Sequence, residues 1–212
     1  MSLFDRYYER YDAWYDRHPF AYESELKALR KLMPSNGRGL EIGVGTGRFA
    51  APLDITIGID PSYPMIKIAR KRGVNARWGY GEDLPFVNAA FDYAVMIISL
   101  CFVNDPIGVL GEIWRVLRSR GDIIIAIIDK DSFLGKFYRR QGGLFYKDAH
   151  FFSVPELEQR LGQTGFADFV YYQTLFVLPD QLTSVEEPQK GYGRGGFVVV
   201  KARKIGMRAE RK

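Results

Sequence analysis

The chain has 212 residues, 47% hydrophobic and 26% charged, a size and balance that suit one folded domain with a substantial core and do not suggest disorder. Cys101 is its one cysteine, which rules out an internal disulfide and any multi-cysteine metal site, and no apolar run approaches the roughly 20 residues that span a bilayer. The net charge of +5 is carried entirely between Lys201 and Lys212, where six basic residues face Glu210 alone; the rest of the chain is formally neutral, so the tail reads as a solvated end and nucleic acid is disfavoured as a partner.

The first residues, Met1-Ser2-Leu3-Phe4-Asp5-Arg6, lack the apolar core of a signal peptide, and a cytoplasmic protein is the expectation. Residues 1–33 interleave tyrosines and Trp14 with charges, a composition suited to a helical cap with one wet and one aromatic face. Tyr7, Tyr11 and Tyr15 recur every four residues and share that face, either as packing or as an aromatic wall over a ligand. His18, before Pro19, reads as a turn residue.

Next comes Gly39-Leu40-Glu41-Ile42-Gly43-Val44-Gly45-Thr46-Gly47, an apolar run ending in alternating glycines, where a buried strand turns sharply and offers bare backbone to a ligand. Asp60 closes a second apolar run and places a carboxylate where ribose hydroxyls could donate to it. Strands are expected at 39–43, 55–60, 74–78, 93–98 and 123–129, with helices between them, the pattern of an α/β layer fold. Ser62 is the expected cap of one helix that stops at Gly73. Asp105-Pro106 starts another, whose Ile107, Leu110, Ile113, Trp114 and Leu117 share a face and which ends at Gly121. Ser153 with Glu156 spells a capping box, and the apolar runs 166–178 and 196–200 read as a closing antiparallel pair. The expected organisation is one domain over 1–203, with a cap at 1–33, a lid insertion at 131–152 after a strand's carboxyl end, and a basic tail at 204–212.

The glycines do not follow the G-x-G-x-x-G spacing of a dinucleotide site, because the third comes one position early. Glu41, within an apolar strand, needs a partner, which a cationic amino-acid portion of a sulfonium cofactor would provide and a pyrophosphate would not. With Glu41 to Gly47, Ile59-Asp60-Pro61-Ser62, Gly81-Glu82-Asp83-Leu84-Pro85-Phe86, Phe91-Asp92 and the helix running into Leu117 to Asp122, the chain resembles the class I S-adenosylmethionine-dependent methyltransferases. The likeness is to their small-molecule, methyltransferase type 11-like branch, related to the quinone-biosynthesis methyltransferases.

That resemblance implies a Rossmann-like sheet of seven mostly parallel strands with an antiparallel last strand, helices on both faces and an N-terminal helical cap. It implies S-adenosylmethionine as cofactor, S-adenosylhomocysteine as product, and no metal. Glu41, Gly43, Gly45 and Gly47 would hold the methionine and ribose end, and Asp60 the ribose hydroxyls. Pro61, Ser62 and Met65 would lie beside the adenosine, Gly81, Glu82, Asp83 and Leu84 would face the adenine, and Ile98 and Ser99 would border the sulfonium, with Tyr11 and Tyr15 in the cap. The chain departs from its relatives at Tyr80, where many carry an aspartate that accepts from the adenine amino group.

Methyl transfer from a sulfonium needs alignment and exclusion of water more than a base, so a catalytic side chain is not fixed; His150 and Tyr11 are the candidates, and Cys101 reads as a small buried hydrophobe. The expected enzyme methylates N, O or C of a small acceptor, with the tyrosines and phenylalanines pointing to an apolar or aromatic one, as a monomer or homodimer. The competing readings are a cofactor-binding protein without turnover, an RNA or protein methyltransferase, and a nicotinamide oxidoreductase.

Overall fold

A capping box opens the first helix. Ser2 Oγ accepts from the Asp5 N–H, Asp5 Oδ2 accepts from the Ser2 N–H, and α1 (Leu3–Arg17) follows. His18 alone separates it from α2 (Pro19–Arg30), so the expected cap is a pair of helices. These come from a computed structural model that describes residues 2–147 and 149–205.

Short apolar runs give β1 (Gly39–Ile42), β2 (Ile57–Asp60), β3 (Asn75–Trp78), β4 (Phe91–Ile97) and β5 (Leu117–Ile128). Between and after them lie α3 (Tyr63–Lys71), α4 (Pro106–Val116), α5 (Phe133–Gln141) and α6 (Val154–Gln163), and the chain closes with β6 (Phe166–Thr174), β7 (Gln189–Lys190) and β8 (Phe197–Lys204). The sheet order is β3-β2-β1-β4-β5-β8-β6-β7, with β1 to β5 parallel and β8 antiparallel to both β5 and β6. This is the expected Rossmann-like fold; the two-residue edge strand β7 raises the count from seven to eight.

Successive side chains of β5 point to opposite faces, and each face has its own core. Ile124, Ala126 and Ile128 pack with α2, α3 and α5, while Ile123, Ile125 and Ile127 pack with α4 and α6. The order reverses direction between β1 and β4, which opens a crevice at their carboxyl ends.

Two boundaries differ from expectation. α4 stops at Val116 rather than Gly121, because Leu117 turns extended and pairs with Phe91. Lys204 Nζ donates to the carbonyls of Trp114 and Leu117 and lies 3.8 Å from the centroid of the Trp114 ring, so it ends the helix. The residue placed first in a basic tail is therefore part of β8, as are Lys201 and Arg203, both ion-paired to Asp122. The remainder of that tail, 206–212, lies outside the described residues. Among the described residues no helix is long and apolar enough to cross a membrane.

Candidate functional site

At the end of β1 the chain turns back on β2: the N–H groups of Gly43 and Val44 both donate to the Ile59 carbonyl. Gly43 takes φ +74° and Gly45 φ +53°, a region that side chains disfavour. A Cβ on Gly43 would lie 2.5 Å from Ser99 Cβ, and Ser99 Oγ in turn donates to the Ile42 carbonyl, so the ends of β1 and β4 are locked together. Asp60, at the end of β2, is 7% exposed; one oxygen accepts from the Gly45 N–H and the other from the Ser62 N–H, both at 2.8 Å.

Over this crevice lies a cavity of about 420 Å³. Of the residues expected there, Gly43, Gly45, Asp60, Pro61, Ser62 and Met65 line it, as do Gly81, Glu82, Ile98, Ser99 and Tyr11. Ser62 begins α3 without capping it; its buried Oγ lies toward the Asp5 carboxylate with no well-formed hydrogen bond. Tyr80 stands at the rim, 54% exposed and edge-on to Trp78.

The other expected residues lie elsewhere. Gly47 backs onto Ala69 of α3, where a Cβ would come within 3.2 Å of the alanine's own. Asp83 is exposed, and Leu84 is buried in the core under α4, its N–H bound to Glu112. Glu41, unlike its neighbour Ile42, does not line the cavity; it lies buried within electrostatic reach of Asp60 and Tyr11. His150 is exposed, edge-on to Phe152, with its backbone N–H bound to the Cys101 carbonyl, and lines neither this cavity nor the one beside it.

The cap supplies residues the sequence reading did not place. Ser2, Phe4 and Asp5 reach the cavity from α1, and Phe102, Val103 and Asn104 from the loop after β4. The Ser2/Asp5 capping box was legible as a motif and was the available signal. Tyr7 drops out of the expected stripe because the helix kinks there (φ −123°, ψ 26°), and Phe4 takes its place against Tyr11.

Asp5, Asp60 and Glu82 line the cavity, and no lysine, arginine or histidine does among the described residues. Burial pushes the Asp60 carboxyl up to about 6 against the pull of the Ser62 and Gly45 N–H groups. Burial and the Asp60 charge push Glu41 well above the usual carboxylate range, and its Oε2 has no hydrogen-bond partner. Burial also raises the Tyr11 phenol, whose oxygen accepts from Tyr15 at 2.9 Å, an environment that favours the neutral phenol. Cys101 is pushed up to about 12 by burial and borders only a small apolar recess. No cluster of three or more metal-ligating side chains exists among the described residues.

A second cavity, about 270 Å³, adjoins the first across Phe4, Tyr11, Ile98 and Phe102. Tyr15 lines this one, together with Phe137 and Tyr138 of α5 and Phe145 and Tyr146 of the loop beyond it. The expected lid segment thus walls the second cavity. Ile98 holds φ +50°, an outlier for a β-branched residue, at the partition between the two.

Residues 40–125 match the methyltransferase domain family. A crystal structure of a Thermotoga maritima S-adenosylmethionine-dependent methyltransferase, described as a possible histamine N-methyltransferase, superposes with a TM-score of 0.93 at 46% identity, covering 96% of this chain and 99% of that one. An uncharacterized protein of Methanocaldococcus jannaschii is 48% identical over 97% of this chain and its own full length. A demethylmenaquinone methyltransferase of Thermotoga maritima is 29% identical over 83% of this chain and 90% of its own.

Proposed function

Because the chain belongs to the S-adenosylmethionine-dependent methyltransferases, we propose that the cavity over β1 and β4 holds the donor and that the acceptor is a small molecule. The observation that carries the reading is the charge of that cavity, three carboxylates and, among the described residues, no basic side chain, which suits a sulfonium with an ammonium group and opposes a pyrophosphate. The buried Oε2 of Glu41 and the bare backbone of Gly43 and Gly45 fit the same group.

S-adenosylmethionine, when bound, supplies a methyl carbon already activated by its sulfonium. Asp60 accepts from the ribose hydroxyls, and Gly43 and Gly45 let the backbone approach the methionine portion. Glu41 lies buried beside the site and offers its Oε2, which has no hydrogen-bond partner among the described residues, as an acceptor. Pro61, Ser62 and Met65 flank the adenosine, while Gly81, Glu82 and Asn104 face the adenine, a role in which Tyr80 adds its ring at the rim. Gly47 acts indirectly, by letting α3 pack close. Helix α1 and the 131–152 segment exclude water, and catalysis is by position rather than by a base. Small-molecule acceptors are named for the two Thermotoga maritima relatives, which favours a metabolite over RNA or protein here.

Isothermal titration with S-adenosylhomocysteine and, separately, nicotinamide dinucleotide tests the assignment: micromolar binding of the first alone is expected, and binding of the second alone would overturn it. Asp60→Ala is expected to weaken S-adenosylhomocysteine by about 1–3 kcal/mol through loss of a charged acceptor; an unchanged dissociation constant would take Asp60 out of the site. The affinity also carries a pH signature. Hydroxyl donors favour the ionised Asp60, whereas in the free protein its carboxyl titrates at about 6, so affinity is expected to hold above that pH and fall as pH drops through it. Titrations at pH 5 and 7.5 check this, and the step near pH 6 should vanish in Asp60→Asn.

A further inference from the structure

Glu25 projects from the middle of α2 into the second cavity, and it is 1% exposed. Its Oε2 is buried without a partner, and no hydrogen bond or ion pair reaches either oxygen among the described residues. A fold that only needed to fill this volume would place an apolar side chain there, since an unpaired buried carboxyl is costly. The groups facing it are phenols and rings: Tyr11, Trp14 and Tyr15 from α1, Tyr138 from α5, and Tyr146 from the loop beyond. Arg10 and Arg17 also border the cavity, but both are exposed at its mouth and solvated. A carboxylate at the bottom of a ring of aromatic faces is the arrangement that recognises an organic ammonium, which takes its charge partner from the acid and its desolvated contacts from the rings.

We propose that the second cavity is the acceptor subsite and that it takes a small organic amine, its ammonium seated on Glu25 among Tyr15, Tyr138 and Tyr146. The role as a methyl acceptor rests on the donor assignment above; the binding does not. Burial raises the Glu25 carboxyl well above the usual carboxylate range, which favours its neutral form while no cation faces it. Docking an ammonium ionises it: the carboxylic acid and R–NH3+ become a carboxylate paired with R–NH3+, and one proton leaves to solvent. A quinol or another uncharged acceptor would release none.

The test titrates the full chain with phenethylamine, against phenethyl alcohol and 3-phenylpropionate as neutral and anionic counterparts of similar shape. The amine is expected to bind at least tenfold more tightly than either, and Glu25→Gln to erase that preference while leaving S-adenosylhomocysteine affinity within about twofold. In the unaltered protein, amine titrations in two buffers of different ionisation enthalpy are expected to show proton release on amine binding. Equal binding of amine and alcohol, the absence of proton release, or retained preference in Glu25→Gln would each overturn the proposal. Tighter binding of 4-ethylphenol than of the amine would overturn it in favour of a phenolic acceptor. Loss of S-adenosylhomocysteine binding with amine binding intact would instead strike the donor assignment alone.

Discussion

Gly43→Ala is expected to weaken S-adenosylhomocysteine binding by at least about 100-fold, close to 2.7 kcal/mol. Two costs converge on that position. At φ +74° an alanine carries a penalty of about 1–2 kcal/mol, and its Cβ would sit 2.5 Å from Ser99 Cβ and 2.9 Å from Ser99 Oγ, an overlap worth roughly a further 1–3 kcal/mol. Neither side can yield cheaply. Ser99 is tied to the Ile42 carbonyl, and withdrawing it drags Ile98 in the cavity wall. Rotating residue 43 instead breaks the pair of bonds to the Ile59 carbonyl. Gly45→Ala differs in kind: a Cβ there meets no protein atom closer than 3.6 Å, so its cost comes from the backbone and from a side chain entering the donor's own space. Calorimetric titration of Gly43→Ala decides it: an unchanged dissociation constant would show that crowding against Ser99 is not what shapes the site.

The second large effect belongs to Asp12, which fastens α1 to the glycine turn and to α3. Its oxygens accept from Arg48 at 2.9 Å, from Arg72 at 2.8 Å and from Thr46 Oγ1 at 2.6 Å. Although burial pushes the other way, hydrogen bonds from Arg72, Arg48 and Thr46 hold its carboxyl well below the usual range. Asp12→Ala leaves two guanidinium groups short of a partner. A fully buried pair broken in this way costs about 3–5 kcal/mol; these side chains are 15% to 26% exposed and Arg48 keeps Asp16, so about 2 kcal/mol is expected. For a chain of this size that lowers Tm by about 4–8 °C. A carboxyl depressed in the fold stabilises above its unfolded pKa and loses that contribution as pH falls, so the gap between wild type and variant is expected to close below about pH 4. Thermal scans across pH check both the size and the closure; a constant gap would mean Asp12 acts by packing rather than by charge.

Most of the architecture could be read from the chain, because buried parallel strands are short apolar runs and Ser153/Glu156 and Asp105/Pro106 mark their helices by capping chemistry. The α4/β5 boundary could not, since the apolar pattern of the helix continues through Leu117 into the strand, and the decision is made by Lys204 from the far end of the chain. The glycine turn and Asp60 were legible because backbone geometry demands those residue types. Asp83, Leu84 and His150 were placed by motif or by rarity, and their surroundings direct them elsewhere. Glu25 left a signal that went unread: with Ala21 and Leu29 it lies on the buried stripe of α2, where a charged residue is out of pattern.

Ile98 holds a left-handed backbone that costs an isoleucine on the order of 1–3 kcal/mol, and it persists because its N–H is fixed to the Ala126 carbonyl and its side chain is packed between two chambers. Selection for heat tolerance alone would replace it with glycine or asparagine, relieving the backbone and perforating the partition. The position is one where thermal robustness and the wall between two cavities pull on the same residue in opposite directions.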